Sequence, residues 1–214
     1  MTLAEMNAEV YRRIEEETSA PVFWTSADVD AALNDTYIEF CDLTECHTSA
    51  VTVSGLSHRT YYDLRNLLAT TEEPLVVDAV YNATTYRWLI PASAFDLDTA
   101  VYPRWESVTG EPDTYFVRGL WWLGIYPQLA SDTGTFTVIA ATVPARLTAS
   151  DSPTFEADYH NALVEGALYE LLCQDREVTK GLAHYDIFVT MAAEYSALRK
   201  RRTNVDRLGV IGGL

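Results

Sequence analysis

The chain has 214 residues, 48% of them hydrophobic and 12% aromatic, with 31 acidic against 15 basic side chains and a net charge of −16. That composition excludes a disordered chain, and no apolar run reaches the roughly 20 residues that a membrane helix needs. The length favours one core carrying a sizeable insertion over two full domains.

In chain order, Leu3, Met6, Val10 and Ile14 recur at three- and four-residue spacing, which predicts an amphipathic helix over 3–17. This N-terminus is acidic and lacks the basic start and apolar centre of a signal peptide, so synthesis and assembly in the cytoplasm are expected. Pro21 separates the first helix from the next. Thr25-Ser26-Ala27-Asp28 has the pattern of a capping box and opens a helix to about Leu43, with Val29, Leu33, Tyr37 and Phe40 as its apolar stripe.

From Ser49 to Val143 the period shortens. AVTVS, PLVVDAVY, YRWLI, TYFVRGL, WWLGIYP and TFTVIAATV are short, rich in β-branched and aromatic residues, and bounded by Gly, Pro, Asn or Asp. Asn82-Ala83-Thr84-Thr85 forms a hairpin turn, and Pro91-Ala92-Ser93 opens a connection or helical turn through Asp96 and Asp98. If Trp121 and Trp122 share a strand they face opposite ways, so at least one is expected in the core.

Helical periodicity returns from Thr154 to Asp175, through Phe155, Tyr159, Leu163, Ala167, Leu168, Leu171 and Leu172. A last helix spans Thr179 to Arg202 on Leu182, Tyr185, Val189, Ala192, Tyr195 and Leu198, about 36 Å if wholly helical. The fold class is therefore α+β: a small bundle of two N-terminal and two C-terminal helices with an inserted antiparallel sheet. Its parts are helices over 1–48, the β region over 49–150, helices over 151–202 and a flexible arm over 203–214.

The charge is uneven. Residues 1–198 hold 30 acidic and 10 basic side chains, a net −20, whereas 199–214 hold Arg199, Lys200, Arg201, Arg202 and Arg207 against Asp206, a net +4. The acidic body repels phosphates and anionic membranes. Solubility alone accounts for it, and so does a surface past which DNA slides without sticking. The basic run suits the negative pole of its own helix. In the final segment Gly209, Gly212 and Gly213 disfavour a regular helix around Leu208, Val210, Ile211 and Leu214. Either this is a frayed end, or its aliphatics mark a binding arm that orders on contact.

Catalytic patterns are missing from the chain: it has no phosphate loop, G-x-S-x-G or H-E-x-x-H. His47, His58, His160 and His184 lack metal-ligand spacing, and the pairs Asp96/Asp98 and Glu72/Glu73 are what an acidic surface produces. Cys41, Cys46 and Cys173 are odd in number and read as buried or half-buried thiols; Cys41, Cys46 and His47 lack the second ligand pair of a zinc site. No enzyme activity, cofactor or metal is expected. A carbohydrate- or protein-binding β module is the competing class, with Trp24, Trp88, Trp105, Trp121 and Trp122 as possible platforms.

One ordered series of residues goes further than composition. Trp105, Gly110, Pro112 and Tyr115 follow W-x4-G-x-P-x2-Y, and a strand closes on Tyr126-Pro127. After a Ser131-Asp132-Thr133-Gly134 turn and a second strand come Pro144, Leu147 and Thr148, then Asp151, Pro153 and a helix opening Tyr159-His160-x-Ala162-Leu163. In this order and spacing the chain resembles the head-tail adaptor (head-completion, connector) proteins of tailed bacteriophages. The resemblance is tightest from Trp105 to Leu172.

That resemblance implies a structural virion protein of the neck, at the head–tail interface. It implies a homo-oligomeric ring, dodecameric in this family, between the portal protein and a tail or neck protein such as a stopper or tail terminator. Double-stranded DNA would pass through an acidic lumen without specific binding, and no membrane would be involved. Another neck or tail structural subunit is the nearest alternative within the same class. The segment from Arg199 through Lys200, Arg201, Arg202, Arg207, Leu208, Val210 and Ile211 to Leu214 is the expected portal-binding arm.

Overall fold

Side chains that accept from free helix amides decide where the helices begin. The computed structural model describes residues 1–15, 23–66, 73–100, 105–119 and 121–211, and of 100 and 202–211 the backbone alone. Thr2 and Glu5 form a reciprocal capping box at the start of α1, Leu3–Arg13. Thr25 and Asp28 do the same for α2, Ser26–Thr44, as their spacing predicts. α1 stops at Arg13, short of the expected residue 17; residues 16 and 17, like Pro21, lie outside the described residues.

The chain divides into two units, one of residues 1–47 with 144–214 and the other of residues 48–143. The first is helical and adds α4, His160–Gln174, and α5, Val178–Ile211. The segment 144–150, expected with the β region, belongs to this helical unit. Its core joins Met6 and Val10 of α1 and Leu33, Tyr37 and Phe40 of α2 to Leu163, Leu168, Phe188 and Tyr195. Phe155 is in that core, stacked on Phe40 at 4.5 Å. It precedes the helix instead of opening it: a 3-10 turn over Ala157–Tyr159 leads into α4. The core stripe of α5 holds as expected at Ala192 and Tyr195, whereas in the first half of the helix Gly181 and Phe188 face inward and the expected Leu182 and Val189 are exposed. Gly166 of α4 lets α2 approach closely, since a Cβ there would lie 2.2 Å from Thr36 Cγ2.

Among the described residues the second unit holds eight strands: β1 Thr48–Ser54, β2 Tyr61–Asp63, β3 Pro74–Asn82, β4 Arg87–Trp88, β5 Ile90–Pro91, β6 Thr114–Arg118, β7 Trp122–Tyr126 and β8 Thr135–Thr142, with a short helix α3, Ala94–Ala100. They form two four-stranded sheets, ordered β1-β8-β3-β4 and β2-β7-β6-β5. Val53, Val80, Phe136 and Val138 of the first sheet meet Tyr62, Tyr115, Leu123 and Ile125 of the second in one core. All pairings are antiparallel except β5 with β6. That pair is parallel because the chain leaves β5 through α3 and re-enters beside it, a crossover in place of a hairpin. The expected turn at Asn82–Thr85 is present: Asn82 Oδ1 accepts from the amides of Thr84 and Thr85 at 3.0 and 3.2 Å.

Neither Trp121 nor Trp122 is core, contrary to expectation. Trp121 sits half-buried before β7, with the Arg65 guanidinium 5.5 Å from its ring centre, and Trp122 is exposed. Leu123 and Ile125 take the inner face. The other face of this sheet is covered as well, where Leu97 and Trp105 pack on Phe116 of β6. Phe116 pairs with Gly124, where a Cβ would lie 2.1 Å from its ring. Gly124→Ala should therefore cost about 1–3 kcal/mol through overpacking. Adding Phe116→Leu should recover part of that loss, measured by denaturant unfolding of both variants.

Candidate functional site

The helix expected to carry the portal-binding arm is fastened to the bundle up to Arg199. Tyr195 is buried against Phe155 and Tyr159, and its hydroxyl donates to Glu156 at 2.6 Å. One turn on, Arg199 Nη1 donates to the carbonyl of Thr44 at 3.2 Å and approaches Glu45 at 3.5 Å. It thus closes the C-terminal end of α2, where a cation meets the negative pole of the helix. Lys200 and Arg201 are exposed.

The helix does not stop at Arg202. Its backbone continues to Ile211, through Gly209. One glycine costs a helix about 1 kcal/mol, and extending a helix is far easier than nucleating one. Of the remaining arm residues, the side chains of Arg202, Arg207, Leu208, Val210 and Ile211 lie outside the described residues, as does Leu214 entirely.

The ordered motif residues are structural, and they divide between the two units. In the β unit Trp105 is buried edge-on against Phe116 and Tyr126, and its Nε1 donates to Asp98 at 2.5 Å. The Gly110 amide donates to the Gln128 carbonyl at 2.8 Å, fastening the loop next to the cis Tyr126–Pro127 bond. Pro112 is buried, and Tyr115 is buried on the inner face with its hydroxyl donating to Asp78 O at 3.2 Å. In the helical unit the Leu147 amide donates to Asn34 Oδ1 at 2.6 Å, and Leu147 O accepts from Asn34 Nδ2 at 3.3 Å. Thr148 donates from its hydroxyl and its amide to Asp151 Oδ2 at 2.6 and 2.8 Å. Tyr159 meets the Tyr195 ring edge-on.

His160 is buried between two fixed partners. Its Nδ1 lies 2.7 Å from the Met1 amine and its Nε2 lies 3.0 Å from the Phe155 carbonyl. Burial and the nearby ammonium hold its pKa below the ordinary value, against the backbone hydrogen bonds.

A polar knot that sequence reasoning missed sits on α4. Glu165 is buried and accepts from Arg13 of α1, from Asn161 at 3.3 Å and from His184 of α5 at 2.7 Å. Burial alone would raise its pKa, but the hydrogen bonds from His184 and Arg13 outweigh that and hold it below the usual range. Arg13 and His184 come from other helices, so no local spacing signals them. Cys41 and Cys46 are free thiols with sulfurs 3.4 Å apart. Among the described residues no group of three or more His, Cys, Asp or Glu is placed to hold a metal ion. His184 is committed to Glu165, and His47 Nδ1 lies 3.2 Å from the Thr154 hydroxyl.

These residues position other residues, and none of the contacts assembles a nucleophile with a base. The sequence profile of the SU10 adaptor protein family matches residues 1–209. The chain belongs to that family. No curated protein matches it. The SU10 adaptor protein family is one of phage head–tail adaptors, structural proteins that bind other virion proteins. The resemblance carried by Trp105 to Leu172 thus identifies the right family, and the match takes in both units. Among the described residues, no helix is long and apolar enough to cross a membrane.

In this adaptor the knot and His160 make the helical unit acid-sensitive. A histidine with a lowered folded pKa loses stabilisation as pH falls below its ordinary value near 6.5. Glu165, also lowered, contributes fully above the unfolded carboxylate range and less as pH falls through its folded value. The melting temperature should therefore fall in two stages, from about pH 6.5 and again below about pH 4.3. Glu165→Ala should cost about 1.5–3 kcal/mol at pH 7 and shrink the second stage without abolishing it, since Glu9 and Asp151 are also held below the usual carboxylate range by their hydrogen bonds; an unchanged acid profile would contradict this.

Proposed function

We propose that the chain is one subunit of a homo-oligomeric ring in the virion neck, between the portal and a tail-side protein. The observation that carries this reading is the family match over residues 1–209. The geometry supports a division of labour. The helical unit, closed by Asn34, Glu165 and Arg199, builds the ring wall. The β unit makes the subunit or tail contacts. The end of α5 docks on the portal.

Electrostatics supports the same reading. Residues 1–198 carry a net −20, so a lumen lined by such subunits repels phosphates and lets DNA pass without specific binding. The segment from Arg199 onward has the opposite sign, which steers it toward an acidic rim before its aliphatics bury. Repeated around a ring, a weak single contact becomes tight by avidity. Repulsion between acidic bodies keeps the free subunit monomeric or weakly associated until it docks.

Two measurements test this. Deleting residues 203–214 should leave the melting temperature unchanged while abolishing co-sedimentation with portal-bearing heads. Normal attachment of the truncated chain would remove the docking role of the segment. Separately, a chain lacking residues 200–214 should retain no duplex DNA at about 50 mM salt, where screening is weak. Retention would contradict a repulsive lumen.

A further inference from the structure

The β unit exposes large apolar side chains along one short stretch. Tyr86 is 80% exposed, Trp88 50%, Ile90 65% and Phe95 73%. The cause is topological. β4 is the edge of one sheet and β5 the edge of the other, and residues 87–91 pass directly between them. Leu89 between the two edges is buried in the shared core. Its neighbours Trp88 and Ile90 therefore turn outward together, two residues apart on an extended chain. Trp88 is held against the Tyr81 ring at 5.0 Å, which fixes it at little further entropic cost. Phe95 projects from α3, whose Leu97 is buried on the sheet.

The charges around this ridge are lopsided. Ile90 donates its amide to the Asp113 carbonyl at 2.7 Å, which places Asp113 beside it, and Asp96 and Asp98 flank Phe95 on α3. Arg87 lies 3.9 Å from Glu111. The ridge is thus a set of apolar anchors in an acidic rim. Aromatic anchors of this kind carry a large share of the energy at protein interfaces.

We propose that the ridge of Tyr86, Trp88, Ile90 and Phe95 is the docking surface for a tail-side virion protein that presents an apolar socket rimmed by lysine or arginine. The inference rests on the adaptor role above and names the partner chemistry of its second face. The acidic rim disfavours a second copy of the same ridge and disfavours nucleic acid. Ile90 and Phe95 offer a glycan no hydrogen bonds, and protein side chains fill such a ridge better.

The test uses the full chain with Ile90→Thr and Phe95→Ser, both at exposed positions, and a second variant, Trp88→Ala. Isolated tails of the same phage and portal-bearing heads are the two probes, measured separately. Both variants should attach to heads as the unaltered chain does and bind tails at least about 30-fold more weakly. Tail binding by the unaltered chain should weaken as salt rises. Equal tail binding by the variants, or by none of the chains, overturns the proposal whether or not heads are bound. Loss of head attachment alone, by every chain, refutes the adaptor reading and leaves ridge-dependent tail binding as support for the docking surface. Competition by soluble oligosaccharides, or a ridge-dependent dimer in sedimentation, overturns it in favour of a glycan or a second copy.

Discussion

The carboxamide of Asn34 holds both backbone polar groups of Leu147, and the helical unit depends on that clamp. The chain leaves this unit after His47 and returns at Pro144, so the two N-terminal helices close against the C-terminal pair only if the returning segment is caught in one place. Asn34 is buried, and a buried amide group without a partner is costly; Nδ2 also donates to Asp30 O at 2.9 Å, so a register other than this one would leave Oδ1 without the Leu147 amide. The same returning segment satisfies the start of α1, whose Leu3 and Ala4 amides donate to the carbonyls of Asp151 and Ala149. One irregular segment thus answers the free donors of one helix and a buried side chain of another. This gives a physical reason for the P-x2-L-T pattern: Leu147 packs on the helical core while its backbone is clamped by Asn34, and the Thr148 hydroxyl donates to Asp151.

Polar ties recur at helix junctions of the unit. Glu165 joins α1, α4 and α5, Arg199 joins α5 to the end of α2, and Asn7 of α1 donates to Asp30 of α2 at 2.7 Å. Apolar packing drives the collapse, since it scales with buried area and not with direction. The directional bonds select one arrangement among the many that would bury similar area. In the β unit selection is steric instead. The Phe116 ring lies over Gly124, and a one-residue slip would bring a side chain beneath that ring.

Local signals were legible in the sequence and non-local ones were not. The Thr25–Asp28 box, the turn at Asn82 and the principal strands are written in adjacent residues whose physics is short-ranged, and they stand where expected. β2 escaped notice because three residues carry too little periodicity. The stripe of α5 is legible at Ala192 and Tyr195 but not at Val189, because Phe188 and Val189 are adjacent and apolar alike; packing against Phe40 and Tyr185 decides between them. Trp121 and Trp122 were expected to supply a core residue from size alone, whereas the smaller Leu123 and Ile125 fill the space between the sheets. Glu165 was illegible for a different reason. A buried carboxylate is defined by partners brought from other helices, and spacing along one chain does not contain them.

The pairing of the first and last strands of the insertion has a consequence for how such a protein changes over time. Thr48 lies opposite Ala141, so the β unit enters and leaves through neighbouring positions. A segment joined to its host through two adjacent points can lengthen, shrink or be exchanged for another without moving the ends that the helices require. The helical scaffold and the inserted unit are therefore free to diverge at different rates, the scaffold held by its closed network of polar ties and the insert by whatever surface it meets.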